Sequence, residues 1–208
     1  FIRAAELKKQ FEVLAHFYSV DVRGSDPIRC RSVLEMRRRS LPSGSAVDAV
    51  VIMMNPGSSR PVVEEEVLVA PARLAAMEDT LKPAVPDTTQ YQIMRVMHYL
   101  KWGHVRVINL SDLRDSKSDS FVGRYMRLEQ EFGLTSHSVF APERRSQLRR
   151  YLARREGAPV IRAVLPWLEP ICSALQVAPS AYRRHAARQR NPALLPARAR
   201  RDAHLLPQ

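Results

Sequence analysis

At 208 residues, 45% of them hydrophobic, the chain is long enough to bury a core in one domain with residues left for a tail, which excludes wholesale disorder. No segment approaches the roughly 20 apolar residues that cross a bilayer, and nothing near the N-terminus resembles a signal peptide; the expectation is a cytoplasmic protein with no membrane partner. The formal net charge of +12 favours polyanionic partners, nucleic acid or a nucleotide above all, although Arg183, Arg184, Arg188, Arg190, Arg198, Arg200 and Arg201, opposed only by Asp202, carry about half of the excess.

Residues 3–16 place Leu7, Phe11 and Leu14 at helical spacing between charged residues, which predicts a surface helix with one buried stripe. Residues 17–22 and 31–36 have strand composition and are separated by the turn chemistry of Gly24 to Pro27. The run 48–54, apolar after Asp48, stops abruptly at Asn55-Pro-Gly-Ser-Ser59, as a strand buried on both faces does when it delivers a polar loop to one end of a sheet. The Pro-punctuated stretch from Arg60 to Pro86 predicts a long loop or lid with one short helix near 71–79.

Asp87-Thr-Thr-Gln90 is a capping box for a helix with Ile93, Met97 and Leu100 on its inner face and Gly103 as its stop. Residues 105–110 form the next strand and open onto the polar loop 111–118. Strand, helix and strand in this order make a crossover with parallel neighbours, which puts both polar loops at one sheet edge. Helices are expected over 121–132 and 143–156, a further parallel strand over 159–165, and a helix through Leu168, Ile171 and Leu175. The whole predicts a three-layer α/β/α domain over 1–178 with a central, largely parallel sheet, followed by a flexible basic tail over 179–208.

Ligands of open parallel sheets sit at the carboxyl ends of the strands. That rule selects Asn55, Gly57, Ser58 and Ser59 from the first loop and Asn109, Asp112, Arg114, Asp115 and Lys117 from the second. Asn55 supplies both a donor and an acceptor, Gly57 permits close backbone approach, and the amides of Ser58 and Ser59 suit an oxyanion or phosphate. Turn formation by Asn-Pro-Gly and an exposed ion-pair cluster in the second loop are the plain alternatives. Cys30 and Cys172 lie far apart without metal-site spacing, and phosphate-loop, dinucleotide, metalloprotease and serine-hydrolase motifs are missing, so nothing in the sequence requires a metal or cofactor.

Met53-Met-Asn-Pro-Gly-Ser58, Asp87-Thr88 and Val107-Ile-Asn-Leu110 with Arg114 together resemble, in order, the pattern of an uncharacterised bacterial family called domain of unknown function 1643. More locally, Ile52–Ser59 is similar to the Asn-Pro-Gly loop of mismatch-specific uracil-DNA glycosylases. That resemblance implies a three-layer fold and a water-orienting role for Asn55. The late loop with which such enzymes hold an extruded base has no counterpart beyond His185. From the two likenesses and the paired loops, the expectation is a nucleic-acid- or nucleotide-directed hydrolase of glycosylase-like type. Asn55 and Asp112 would be its catalytic residues, and Gly57, Ser58, Ser59, Asp87, Thr88, Asn109, Arg114 and Lys117 would bind substrate. A non-catalytic nucleic-acid-binding protein and a small-nucleotide hydrolase are the alternatives.

Overall fold

A short helix, α1 (Ala4–Gln10), passes directly into the long strand β1 (Phe11–Val20). The helix predicted over 3–16 is therefore cut at Gln10, because Phe11, Val13 and Ala15 alternate with less buried residues at the period of a strand. Leu7 and Phe11 do share one core cluster, but across the helix-to-strand junction. The computed structural model describes residues 2–22, 26–63, 66–115 and 118–163. Lys117, Cys172, His185, the expected helix through 168–175 and the basic tail over 179–208 lie outside the described residues.

β1 pairs antiparallel with β2 (Ile28–Arg38), which begins three residues earlier than its composition suggested. Next come β3 (Ala49–Met53), β4 (Arg60–Pro61), β5 (Val67–Val69), a 3-10 turn over Pro71–Ala76 and β6 (Lys82–Val85). The predicted loop over 60–86 thus contains three short strands besides the 3-10 turn. α2 (Thr88–Leu100) leads to β7 (His104–Asn109), and α3 (Ser118–Gln130), a 3-10 turn over Pro142–Arg144, α4 (Arg145–Leu152) and β8 (Val160–Arg162) complete the described chain.

The eight strands form one mixed sheet in the order β4, β6, β1, β2, β7, β3, β8, with β5 pairing the second half of β1. This corrects the largely parallel sheet expected: β3 is parallel to β7 and β8, whereas β2 opposes both β1 and β7. The long hairpin β1–β2 is laid against β7 and makes the sheet mixed. Its strand directions still concentrate loops at one edge. The carboxyl ends of β1, β3, β7 and β8 meet there with the amino end of β2.

Two apolar clusters hold the sheet. Leu7, Met94 and Met97 pack with Phe11, Val13, Leu34, Met36, Ala49, Val51, Val105 and Val107, while Leu148, Tyr151 and Leu152 pack with Val33, Val50, Ile52 and Ile108. Alternate residues of β3 enter different clusters, so this strand is covered on both faces, as its uncharged sequence implies. Each large side chain so buried contributes about 1.5–3 kcal/mol.

α2 begins with the capping box foreseen: Asp87 Oδ1 accepts from the Gln90 amide at 3.0 Å, and Gln90 Oε1 accepts from the Asp87 amide at 3.2 Å. Its buried stripe is Gln90, Met94 and Met97, and Leu100 is exposed. The left-handed residue that ends the helix is Lys101, at φ 59°, in place of Gly103. Gly103 is small for another reason: a Cβ there would lie 2.8 Å from Leu41, and its amide donates to Asp48 Oδ2 at 2.6 Å. No helix among the described residues is long and apolar enough to cross a membrane.

Candidate functional site

The loops after β3 and β7 are joined reciprocally at the shared edge. Pairing first continues past the strands, with the amides of Leu110 and Ser111 donating to the carbonyls of Met53 and Met54 at 2.8 and 3.2 Å. Asn55 Nδ2 then donates to the Asp115 carbonyl at 2.6 Å, and Arg114 Nε donates back to the Ser59 carbonyl at 3.1 Å. Each predicted loop therefore sends one side chain to the other's backbone. The bond fixes the plane of the Asn55 amide, and Asn55 Oδ1 makes no hydrogen bond among the described residues.

Gly57 has φ +67°, which an L side chain rarely adopts, and a Cβ there would meet Asp87 Oδ2 at 3.0 Å. The first loop thus closes against the cap of α2. Ser59 is buried and donates to the Val85 carbonyl at 3.2 Å, whereas Ser58 and Thr88 are exposed.

Beneath the loops lies Arg31 of β2, 2% exposed, whose Nη2 donates to Asn109 Oδ1 at 3.0 Å. Among the described residues its Nε and Nη1 have no partner, nor has Asn109 Nδ2, although all three are buried. Burial lowers the Arg31 pKa to about 10; the Asp87 carboxylate acts against the fall and the nearby Arg114 guanidinium adds to it. Arg31 therefore remains charged at neutral pH, with unused donors among Asn109, Asp87 and Arg114. Unpaired buried donors each cost roughly 1–3 kcal/mol, so a cluster of them is the chemistry expected where an acceptor-rich ligand binds.

Asp112 serves the other side of the second loop. It is fully buried, and its Oδ2 accepts from Tyr18 Oη at 2.7 Å and Arg144 Nη1 at 2.6 Å. Its amide donates to the His137 carbonyl and its own carbonyl accepts from the Arg31 amide, both at 2.8 Å. Burial, with the Asp112 charge adding to it, pushes the Tyr18 pKa well up, so the phenol remains a donor. Arg144 is also fully buried and donates to Gln147 Oε1 at 2.7 Å and the Ser136 carbonyl at 2.9 Å. This carboxylate positions the loop from within the fold, and Arg144 is an interior cation.

At the same edge a cleft of 630 Å³ is lined by Ser19, Arg29, Arg60, Glu66 and Arg114, together with Asp26 and two prolines. Glu66 is already committed, pairing with Arg114 Nη1 and accepting from Ser19 Oγ at 2.8 Å. Arg114 also stacks over the Phe17 ring, 5.1 Å from its centroid. Arg29 and Arg60 are exposed, and neither has an ion-pair partner among the described residues. Burial, first, and the Arg29 charge lower the Arg114 pKa, while Glu66 opposes the shift. Three guanidinium groups against two carboxylates, with Arg29 and Arg60 in no ion pair among the described residues, make this cleft suited to an anion.

The structure thus gathers Asn55, Gly57, Ser59, Asp87, Asn109, Asp112 and Arg114 about one edge, in different roles, with Ser58 and Thr88 at its surface. Sequence reasoning missed Arg29, Arg31 and Arg60. The alternation in Arg29-Cys-Arg31 was their only signal, and it becomes informative once β2 is known to start at this edge. No protein-family model, curated protein or solved structure matches the chain. Among the described residues, no group of three or more His, Cys, Asp and Glu is arranged to hold a metal ion.

Proposed function

We propose that the protein acts on a nucleotide or nucleic acid, binding phosphate in the cleft of Arg29, Arg60 and Arg114 and hydrolysing a glycosidic bond with water oriented by Asn55. The observation that carries this proposal is the pair of arginines that make no ion pair among the described residues, beside a strand-end edge that also holds buried donors without partners there. Guanidinium groups recognise phosphate through fixed, paired donors. Asn55 suits the water-orienting role because its Nδ2 is pinned by Asp115 and its Oδ1 stays available as an acceptor. In the reaction the water oxygen bonds to the anomeric carbon as the C–N bond breaks, and the base departs with the bonding electrons and a proton. The resemblance of Ile52–Ser59 to the glycosylase loop supports the same assignment. Helices α1 and α2 in one core cluster and α4 in the other support a three-layer arrangement.

Base release from a panel of damaged or mismatched DNA and RNA is the test. The wild type is expected to release base, and Asn55→Ala to lose about a hundredfold or more of that rate. No turnover on any member of the panel, or full activity in Asn55→Ala, overturns the hydrolytic assignment.

A second reading, non-catalytic nucleic-acid binding, is favoured by Arg145 and Arg149, which are exposed on α4. Binding that falls steeply with salt, is insensitive to Asn55→Ala and is abolished by deleting residues 179–208 would select it.

A further inference from the structure

A second cleft, of 610 Å³, lies between β1 and the segment from β5 to β6; its lining includes His16, Phe17, Arg73, Met77, Glu78 and Lys82. It shares none of the arginines of the strand-end cleft. His16 is 5% exposed and sits at the bulge where the β1–β2 register shifts. Its Nδ1 lies 2.8 Å from Ser32 Oγ and 3.3 Å from Asp79 Oδ1, and Ser32 Oγ is itself 3.4 Å from that carboxylate oxygen.

The surroundings of Asp79 decide the tautomer of this ring. Asp79 Oδ1 accepts from Tyr151 Oη at 2.5 Å and Gln147 Nε2 at 3.0 Å, and Oδ2 accepts from Arg150 Nη2 at 3.0 Å. Although burial opposes it, these donors and His16 hold the carboxyl far below the usual carboxylate range, so it is ionised and can only accept. A lone pair on Nδ1 would face this charge at 3.3 Å, and Ser32 Oγ, which reaches the same oxygen at 3.4 Å, can accept from the ring. Nδ1 must then carry the ring proton, and the lone pair falls on Nε2, which has no hydrogen-bond partner among the described residues. The ring is further fixed by stacking on Tyr18, 5.6 Å between centroids.

We propose that His16 and Asp79 form a general-base dyad serving a second ligand site in this cleft, where Nε2 takes a proton from the hydroxyl of a small molecule. The O–H bond breaks, its electron pair stays on the oxygen as the conjugate base, and the proton moves to Nε2. The imidazolium so formed keeps its Nδ1–H on Asp79, which stabilises the new charge. His104 offers no such site, because Glu35 and the Ser45 carbonyl occupy its two nitrogens.

The dyad is tested on the full chain without knowing the ligand. Ring nitrogen chemical shifts measured by NMR at neutral to alkaline pH are expected to show His16 protonated at Nδ1; protonation at Nε2 would overturn the proposal. Site-resolved mass spectrometry after diethyl pyrocarbonate treatment is expected to find His16 acylated, with the rate reduced by roughly tenfold or more in Asp79→Asn, whose amide can donate to Nδ1 and reverse the tautomer. Buried His137 should stay protected in both proteins, which separates a lost dyad from a lost fold. A wild-type His16 as unreactive as His137, or an unchanged rate in a folded Asp79→Asn protein, would refute it.

Discussion

Replacing Arg144 by Met is expected to destabilise the fold by about 3–5 kcal/mol, because it strands a buried carboxylate. The guanidinium and Asp112 are both fully buried, 2.6 Å apart, and Arg144 also donates to Gln147 and Ser136. After the substitution, among the described residues only the Tyr18 hydroxyl still meets Asp112 Oδ2, while Oδ1 has no partner there even in the intact protein. Against a typical domain stability of roughly 5–15 kcal/mol, the loss is a large fraction. It corresponds to a melting temperature lower by roughly 6–20 °C for a domain of this size. Urea denaturation measures it as a fall in midpoint at constant slope. Asp112→Asn added to Arg144→Met removes the stranded charge and should recover about 1 kcal/mol or more. A cost below about 1 kcal/mol for Arg144→Met, or a further loss on adding Asp112→Asn, would refute this account of the pair.

Gly57→Ala should cost about 1–2 kcal/mol, since φ +67° is retained and the new Cβ presses on Asp87 Oδ2 at 3.0 Å; thermal melts should show a smaller cost in an Asp87→Ala background. Asp87→Ala alone removes the capping box of α2 and should lower stability by about 0.5–2 kcal/mol, read as lost helical signal and midpoint. Burial, first, holds the His137 pKa below the usual histidine value, with Asp112 and Glu129 acting against it. The unfolded state then binds the proton more readily, so this contribution to stability is present above about pH 6.5 and is lost as pH falls towards the folded pKa. Denaturation midpoints should decline with acidification in that window, and His137→Gln should flatten the decline. The corresponding loss from Asp79, also depressed in the fold, begins only below about pH 3.9.

The parts of the fold legible in sequence were those governed by local signals. The β3 run, the capping box at Asp87, the parallel β3–α2–β7 unit and the shared edge of its two loops all follow from short-range patterns, and the structure contains each of them. The β1–β2 hairpin was read less well. Leu7, Phe11 and Leu14 match a helix by spacing, and only pairing along the whole length of β2 makes 11–20 a strand. The mixed sheet follows from that hairpin lying against β7, a long-range contact without a local signature. At the site, Asn55 and Arg114 were found because they follow strand ends, but their mutual stitching was not, since it joins residues some sixty apart in the chain. Nothing local marks Arg144 as interior; its burial goes with Asp112, which reaches it, and Tyr18, from a distant element. Ser32, His16 and Asp79 come together only through the bulge in β1–β2 and the return of the chain after β5.

The most direct test of phosphate recognition at the strand-end edge is thermal stabilisation by a nucleoside monophosphate, compared between the wild type and an Arg29→Ala/Arg60→Ala variant. Both arginines are exposed and unpaired among the described residues, so the variant should fold as the wild type does. At about a hundredfold excess over the dissociation constant, the wild type should gain roughly 2.7 kcal/mol, the variant little or none, and a control Arg145→Ala/Arg149→Ala protein the full amount. Equal stabilisation of the wild type and the Arg29→Ala/Arg60→Ala variant, or none in the wild type, would contradict the assignment of this cleft.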